Sequence, residues 1–220
     1  MKSIDFLYSY SEDHDKTNSS LFSLGGKEEA SIWRDFLKGD EASLSYLYRS
    51  YANKLYNYGR QFADEDLVQD CIQDLFFDLI KTRNKLSQTQ SVKAYLFSSL
   101  RRKIVRKLKK NSREVRESKL NEYSQFRTSI VSDNSTPLDQ FTENRLHILR
   151  KACNTLPPRQ REAIMLYYYE QLSYNEIAEV MSIRKVTSVR ILVYRALDSL
   201  KDLLGGVKDE LLIFYLAWLW

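Results

Sequence analysis

Residues 172–196 read LSYNEIAEVMSIRKVTSVRILVYRA, and two short helices joined by a tight turn follow from that string alone. Ser173 and Glu176 form an S-x-x-E capping box, in which each side chain satisfies a backbone N–H that the first helical turn leaves unpaired. Leu172 before the cap and Ile177 after it complete a hydrophobic staple. The helix runs through YNEIAEVM, with Ala178 small where a second helix has to cross closely. Residues 182–186 are expected to make the turn, and Thr187 or Ser188 to cap the second helix. On that helix Val189, Val193, Ala196, Leu197 and Leu200 share one apolar stripe, which must face a core. Arg190, Ile191, Tyr194 and Arg195 point elsewhere, mostly outward.

This pair of helices suits a nucleic acid. Arg184 and Lys185 flank the N-terminus of the second helix, where backbone N–H groups and cations together favour phosphate. Outward side chains on such a helix can reach base edges in a major groove. An ordinary helical hairpin with a charged face is the bland alternative, and it leaves the capped second helix without a purpose.

Helical periodicity also governs most of the remaining chain. Asp40 stands at an N-cap position, and Leu44, Leu47, Tyr48, Tyr51 and Leu55 then form one stripe. A second helix is expected from about Asp64 to Lys81, burying Leu67, Val68, Cys71, Ile72, Leu75, Phe76, Leu79 and Ile80. A third begins near Ser91 and enters the basic run Arg101–Lys110. Periodicity lapses near residues 124–138, which collect Ser, Thr, Asn, Asp and a Pro, the composition of a linker. It returns at about Leu138 and holds to Leu204, where Gly205 and Gly206 stop it. The expected fold is therefore all-α, with two helical domains. Residues 1–27 are a poorly patterned extension, 28–120 and 139–204 the two domains, 121–138 the flexible linker and 205–220 an apolar tail.

Charge is segregated along this plan. Residues 60–80 hold six acids against Arg60, a local net of −5, whereas residues 101–119 hold ten bases against Glu114 and Glu117, a net of +8. Over all 220 residues 34 bases face 29 acids, a net of +5 with an isoelectric point near 9.0, which suits an acidic partner. One lobe thus offers both an acidic and a basic surface, as contact with a protein and a nucleic acid together would need.

Other classes are disfavoured. Cys71 and Cys153 are far apart, and with His14 and His147 they do not make a zinc spacing. No GxxxxGK, HExxH or GxSxG occurs, so no enzyme, metal or cofactor is expected. The N-terminus lacks the apolar core of a signal peptide, and no apolar run reaches the roughly 20 residues of a membrane span, which points to the cytoplasm. The tail LLIFYLAWLW, residues 211–220, is expected to face protein.

LPPRQREAIMLYYYEQLSYNEIAEVMSI, followed by SVRILVYRALDSL, closely resembles region 4 of bacterial sigma factors. DLVQDCIQDLFFDLI, followed by VKAYLFSSLRRKIVRKLKK, resembles their region 2. Two regions with only a short linker between them are similar to the extracytoplasmic-function (ECF) group. The resemblance implies transcription initiation as a dissociable subunit of RNA polymerase, with promoter recognition and DNA melting. It implies that Asp66, Gln69, Asp70 and Gln73 bind the β′ clamp helices of the core enzyme. It places Lys93, Tyr95, Arg101, Arg102 and Arg106 at the melted minus-ten strand, with Phe97 at a second aromatic position. It places Arg184, Lys185, Thr187, Ser188, Arg190, Tyr194 and Arg195 at the minus-thirty-five duplex, with region 4 against the β flap. An anti-sigma factor or another recruiting protein is a further implied partner.

Departures from the pattern matter. Arg102 and Arg106 replace a common Asn and Asp of the minus-ten helix, which favours phosphate contact over base reading. Ser182 occupies the usual glycine position, and the turn after Ile183 is one residue longer than usual. Two rivals remain at this point. A helix-turn-helix regulator acting without core polymerase would leave the acidic DLVQD face unexplained, and a helical adaptor recruited through its tail would leave the recognition helix so.

Overall fold

A computed structural model describes residues 29–114 and 151–203, and among them every regular element is helical. The N-terminal extension, the linker at 121–138 and the apolar tail lie outside the described residues, as does the start of the second domain up to residue 150. The helices are α1 (Glu29–Lys38), α2 (Glu41–Gly59), α3 (Glu65–Thr82), α4 (Val92–Glu114), α5 (Pro158–Ile164), α6 (Tyr174–Val180) and α7 (Val186–Leu203). A 3₁₀ turn, Arg83–Lys85, follows α3, residues 151–155 are helical, and a π-helical turn, Met165–Tyr169, follows α5.

The described residues form two compact units, and their boundary runs through α2, α3 and the first residue of α4. One unit holds residues 29–54 and 76–92. Its core is apolar and aromatic: Ile32, Trp33 and Phe36 of α1 are buried, with the Trp33 and Phe36 rings 5.2 Å apart. The Trp33 indole N–H donates to the Ser87 carbonyl at 3.1 Å, so this large ring buries no unpaired donor. Gly39 ends α1 in the left-handed region, φ 103°, where the Asp40 N–H reaches Asp35 O and the Gly39 N–H reaches Phe36 O. Asp40 then caps α2 as expected, its carboxylate accepting from the Ser43 N–H at 2.8 Å.

The other unit holds residues 55–75, 93–114 and 151–203. Asp64 caps α3 through the Leu67 N–H, which sets the start at Glu65, within a residue of the expected helix. Gly59 is fixed by packing, since a Cβ there would sit 2.6 Å from Val68 Cγ1. Cys71, Leu96, Phe97, Leu100 and Ile104 complete this part of the core. Phe97, expected at an aromatic minus-ten position, is fully buried core instead. Farther on, Ala196 and Leu200 of α7 pack with Ala152, Cys153, Leu156 and Ile164. Burial pushes the Cys153 thiol up to about 12.

The turn between α6 and α7 is a second copy of the Gly39 arrangement. The Ile183 N–H donates to Ala178 O at 2.8 Å and the Ser182 N–H to Glu179 O at 3.1 Å, with Ser182 at φ 54°. A side chain in that region is strained, so Ser182→Gly is expected to stabilise the chain by about 0.5–1 kcal/mol, read as a higher denaturant midpoint at unchanged slope. The start of α7 departs from expectation. The helix opens at Val186, with the Ser188 N–H already bonded to Lys185 O, so neither Thr187 nor Ser188 is the cap.

Candidate nucleic-acid interface

The helix-turn-helix is built as its sequence dictates. Ser173 caps α6 with the reciprocal box complete: the Ser173 N–H donates to Glu176 Oε2 at 2.8 Å, and the Glu176 N–H to Ser173 Oγ at 3.3 Å. Leu172 and Ile177 are both buried, so the staple is in place. Val189, Val193, Ala196 and Leu200 turn inward on α7. That leaves Arg184, Lys185, Thr187, Arg190, Tyr194 and Arg195 exposed around the helix and its N-terminus, and Ser188 half-buried. Of the expected minus-thirty-five set, Arg184 and Lys185 thus lie in the turn, and Thr187, Arg190, Tyr194 and Arg195 on the exposed side of α7, with Ser188 partly covered. Ile191, which the sequence placed outward without assigning it a role, stands 49% exposed among them. An exposed isoleucine between Thr187 and Tyr194 was the available signal.

One exposed cation of this set is held. The Arg190 guanidinium lies over the Tyr174 ring, 5.3 Å from its centroid, and Tyr174 stacks on Tyr167 at 4.7 Å with 12° between planes.

The expected minus-ten residues are in varied states. Arg102 and Arg106 are exposed on α4, Arg102 donating to Ser99 Oγ at 3.0 Å, and Tyr95 is half-buried. Arg101 is engaged: its Nε donates to Glu162 Oε1 at 2.6 Å. The Tyr58 hydroxyl donates to the same oxygen at 2.8 Å, and Glu162 is buried. Burial and the Glu162 charge hold the Tyr58 hydroxyl well above its ordinary range. For Arg101, burial pulls the guanidinium down, but the hydrogen bond and charge of Glu162 outweigh it and raise it. Lys93 is engaged too, with its Nζ donating to Glu170 O at 2.9 Å and lying 3.8 Å from the Glu170 carboxylate. Glu162 and Glu170 carried no signal of this kind in the sequence, because nothing local pairs them with residues 61 and 77 positions away.

On α3, Asp66, Gln69 and Asp70 are exposed and Gln73 is half-buried, opposite the buried Val68, Cys71 and Ile72. Gln69 donates to Glu65 at 3.1 Å, and Lys107 of α4 lies 3.7 Å from Asp70 and 3.0 Å from Asp74. The ammonium of Lys107 is lowered by burial, but raised overall by the Asp74 hydrogen bond and the surrounding carboxylates. The helix also exposes Phe77, which the sequence left unassigned. No group of metal-binding side chains occurs among the described residues, nor any helix long and apolar enough to cross a membrane.

Comparison with known proteins agrees with this geometry. The family "Sigma-70 region 2" matches residues 47–114, and "Sigma-70, region 4" matches residues 146–200. The ECF RNA polymerase sigma factor SigM of Bacillus subtilis (strain 168) is 28% identical over 170 residues, covering 76% of this chain and 99% of that protein. Among solved structures, CnrH in complex with the cytosolic domain of CnrY matches with a TM-score of 0.55 at 19% identity, over 82% of this chain and 99% of that one. The sigma factor RpoE of Bartonella quintana, in complex with the anti-sigma factor NepR, matches with a TM-score of 0.58 at 22% identity, over 74% and 98%. Both structures share the fold. With region 2 and region 4 matched in order and SigM similar over nearly its whole length, the chain belongs to the ECF sigma factors.

Proposed function

We propose that this sigma factor divides its work among three surfaces: the exposed side of α3 binds core RNA polymerase, α4 captures the melted minus-ten strand, and α7 reads the minus-thirty-five duplex. The observation that carries the reading is the exposed side of α7, where Arg184, Lys185, Thr187, Arg190, Tyr194 and Arg195 surround a helix fixed by its buried stripe. Arginines there suit guanine edges or phosphates, and Ile191 suits a thymine methyl. The chain makes and breaks no bond. It acts by binding the open promoter more tightly than the closed one, which shifts that equilibrium.

In the arrangement described, Lys93 and Arg101 are occupied by Glu170 and Glu162, so strand capture by these two cations requires both pairs to open. Arg102 and Arg106 need no such release. Phosphate contacts from this many bases give an affinity that falls steeply with salt. The chain acts in the cytoplasm, where core polymerase is. The two solved relatives are each bound to another protein, one of them an anti-sigma factor, and a partner of that kind belongs to this reading.

Arg190→Ala and Arg195→Ala are each expected to weaken binding of an upstream promoter duplex by about tenfold, with core-polymerase binding unchanged. Titration of the reconstituted holoenzyme with labelled duplex measures the first, and a pull-down of core enzyme the second. Wild-type duplex affinity in both variants would remove α7 as the reading helix.

A further inference from the structure

Arg190 sits at the edge of the exposed side of α7, next to α6 rather than at the centre of that side. Residues 189, 193, 196 and 200 define the buried stripe, and at about 100° per residue Arg190 lies nearer to it than Thr187, Ile191 or Tyr194 does. A long cationic side chain at such an edge would ordinarily sample many rotamers. Here its guanidinium lies over the face of Tyr174, 5.3 Å from the ring centroid.

Tyr174 is itself held at its backbone and at its ring. It is the first residue of α6, directly after the Ser173 cap, so the capping box fixes its backbone. Its ring is stacked nearly parallel on Tyr167, and Tyr167 is braced edge-on by Tyr168, with centroids 4.9 Å apart and planes at 83°. Tyr167 and Tyr168 lie in the π-helical turn, a wider coil than an α-turn, of a kind often found at functional sites. Burial, then the hydrogen bond and charge of Tyr167, push the Tyr174 hydroxyl up to about 12, so the ring stays a neutral phenol in any ordinary buffer.

We propose that Tyr174 is a positioning residue for Arg190, with the Tyr167–Tyr174 stack holding the guanidinium ready for promoter DNA before the duplex arrives. The inference rests on the reading of α7 as the duplex-binding helix. A guanidinium over an aromatic face is attracted by the ring quadrupole, and a side chain ordered in advance loses less freedom on binding. Tyr174 need not touch DNA for this; it acts through Arg190.

The test is a double-mutant cycle in full-length protein reconstituted with core polymerase, using a duplex that the wild-type holoenzyme has selected from randomised DNA. Tyr174→Leu keeps apolar bulk and removes the ring face, whereas Tyr174→Phe keeps the face and removes the hydroxyl. Tyr174→Leu is expected to weaken duplex binding about fivefold in the wild-type background, the scale of one cation–π contact, and by less than about twofold in an Arg190→Ala background. Tyr174→Phe is expected to bind within about twofold of wild type. A labelled full-length chain supplies a second readout that a merely structural role would not move. The Arg190 Nε proton should be shifted upfield by the ring, keep that shift in Tyr174→Phe and lose it in Tyr174→Leu.

Equal losses from Tyr174→Leu in both backgrounds would overturn the inference, as would an unchanged affinity in Tyr174→Leu while Arg190→Ala is impaired; the reading of α7 survives both. Unimpaired binding by Arg190→Ala overturns that reading, and the inference falls with it. Thermal unfolding of each variant identifies a loss caused by misfolding, and in that event the Arg190 proton shift in Tyr174→Phe decides: retained, it supports the inference, and absent, it overturns it.

Discussion

Glu162→Ala is expected to lose about 3 kcal/mol of stability, because it strips the acceptor from the buried Tyr58 hydroxyl and the counter-charge from Arg101. Breaking a buried pair by removing one member is severe when the other cannot reach water. Arg101 keeps 20% of its side chain exposed, so the low end of that range applies. Glu162→Gln keeps an oxygen for Tyr58 and should lose less. Calorimetry should show the midpoint of Glu162→Ala about 6–12 °C lower, the shift a chain of this size gives for that loss. The pH dependence has a definite sign. Tyr58 holds its proton more tightly in the folded chain than its ordinary value near 10, so its contribution is complete below pH 10 and is lost as pH rises through the folded value. A functional result accompanies the structural one. With Arg101 released, Glu162→Gln should bind single-stranded minus-ten DNA more tightly than wild type and with a steeper salt dependence. Unchanged single-strand affinity would show that Arg101 does not contact the strand.

Reversing charge at Asp66 and Asp70 together, as Asp66→Lys with Asp70→Lys, is expected to weaken core-polymerase binding by about two orders of magnitude. Both carboxylates are exposed on α3, and like charge set against a complementary surface costs several kcal/mol. Folding should be nearly unaffected, since exposed charges away from a core contribute little. Asp70 lies 3.7 Å from Lys107, but Lys107 keeps its shorter contact to Asp74 at 3.0 Å, so that ion pair does not depend on Asp70 alone. Competition against wild type for a limiting amount of core enzyme measures the effect. Binding within threefold of wild type would mean that this side of α3 is not the docking surface, and a helix-turn-helix regulator working without polymerase contacts there would regain ground.

The helix-turn-helix was legible because everything that makes it is local. A capping box spans four residues, a staple six, and the stripe of α7 repeats every three or four. Each is complete within one turn or two, and each formed where the string placed it. Asp40 and Asp64 marked the starts of α2 and α3 for the same reason. The start of α7 was misjudged because two hydroxyl residues at 187 and 188 looked like caps, while a backbone bond to Lys185 O had already opened the helix. Phe97 was ambiguous in the sequence, since an aromatic residue beside cations suits a base platform and a core equally. Only its complete burial beside Tyr58, with centroids 5.0 Å apart, separates the two.

Alone, the string determined an all-α chain, the acidic side of α3, the basic run of α4 and the second helix of the helix-turn-helix with its inward and outward residues, since composition and short-range periodicity carry all of these. What tertiary structure alone decided is which charges are already occupied. Arg101 and Arg102 are adjacent and chemically identical, yet one is bound to the buried Glu162 and the other lies exposed. Likewise Arg190 is placed by Tyr174, sixteen positions earlier, through a stack that no period predicts. Periodicity tells a residue which way to face on its own helix. It does not say which side chain from another element will be waiting there, because that depends on how the helices cross, and the crossing is set by the packed core.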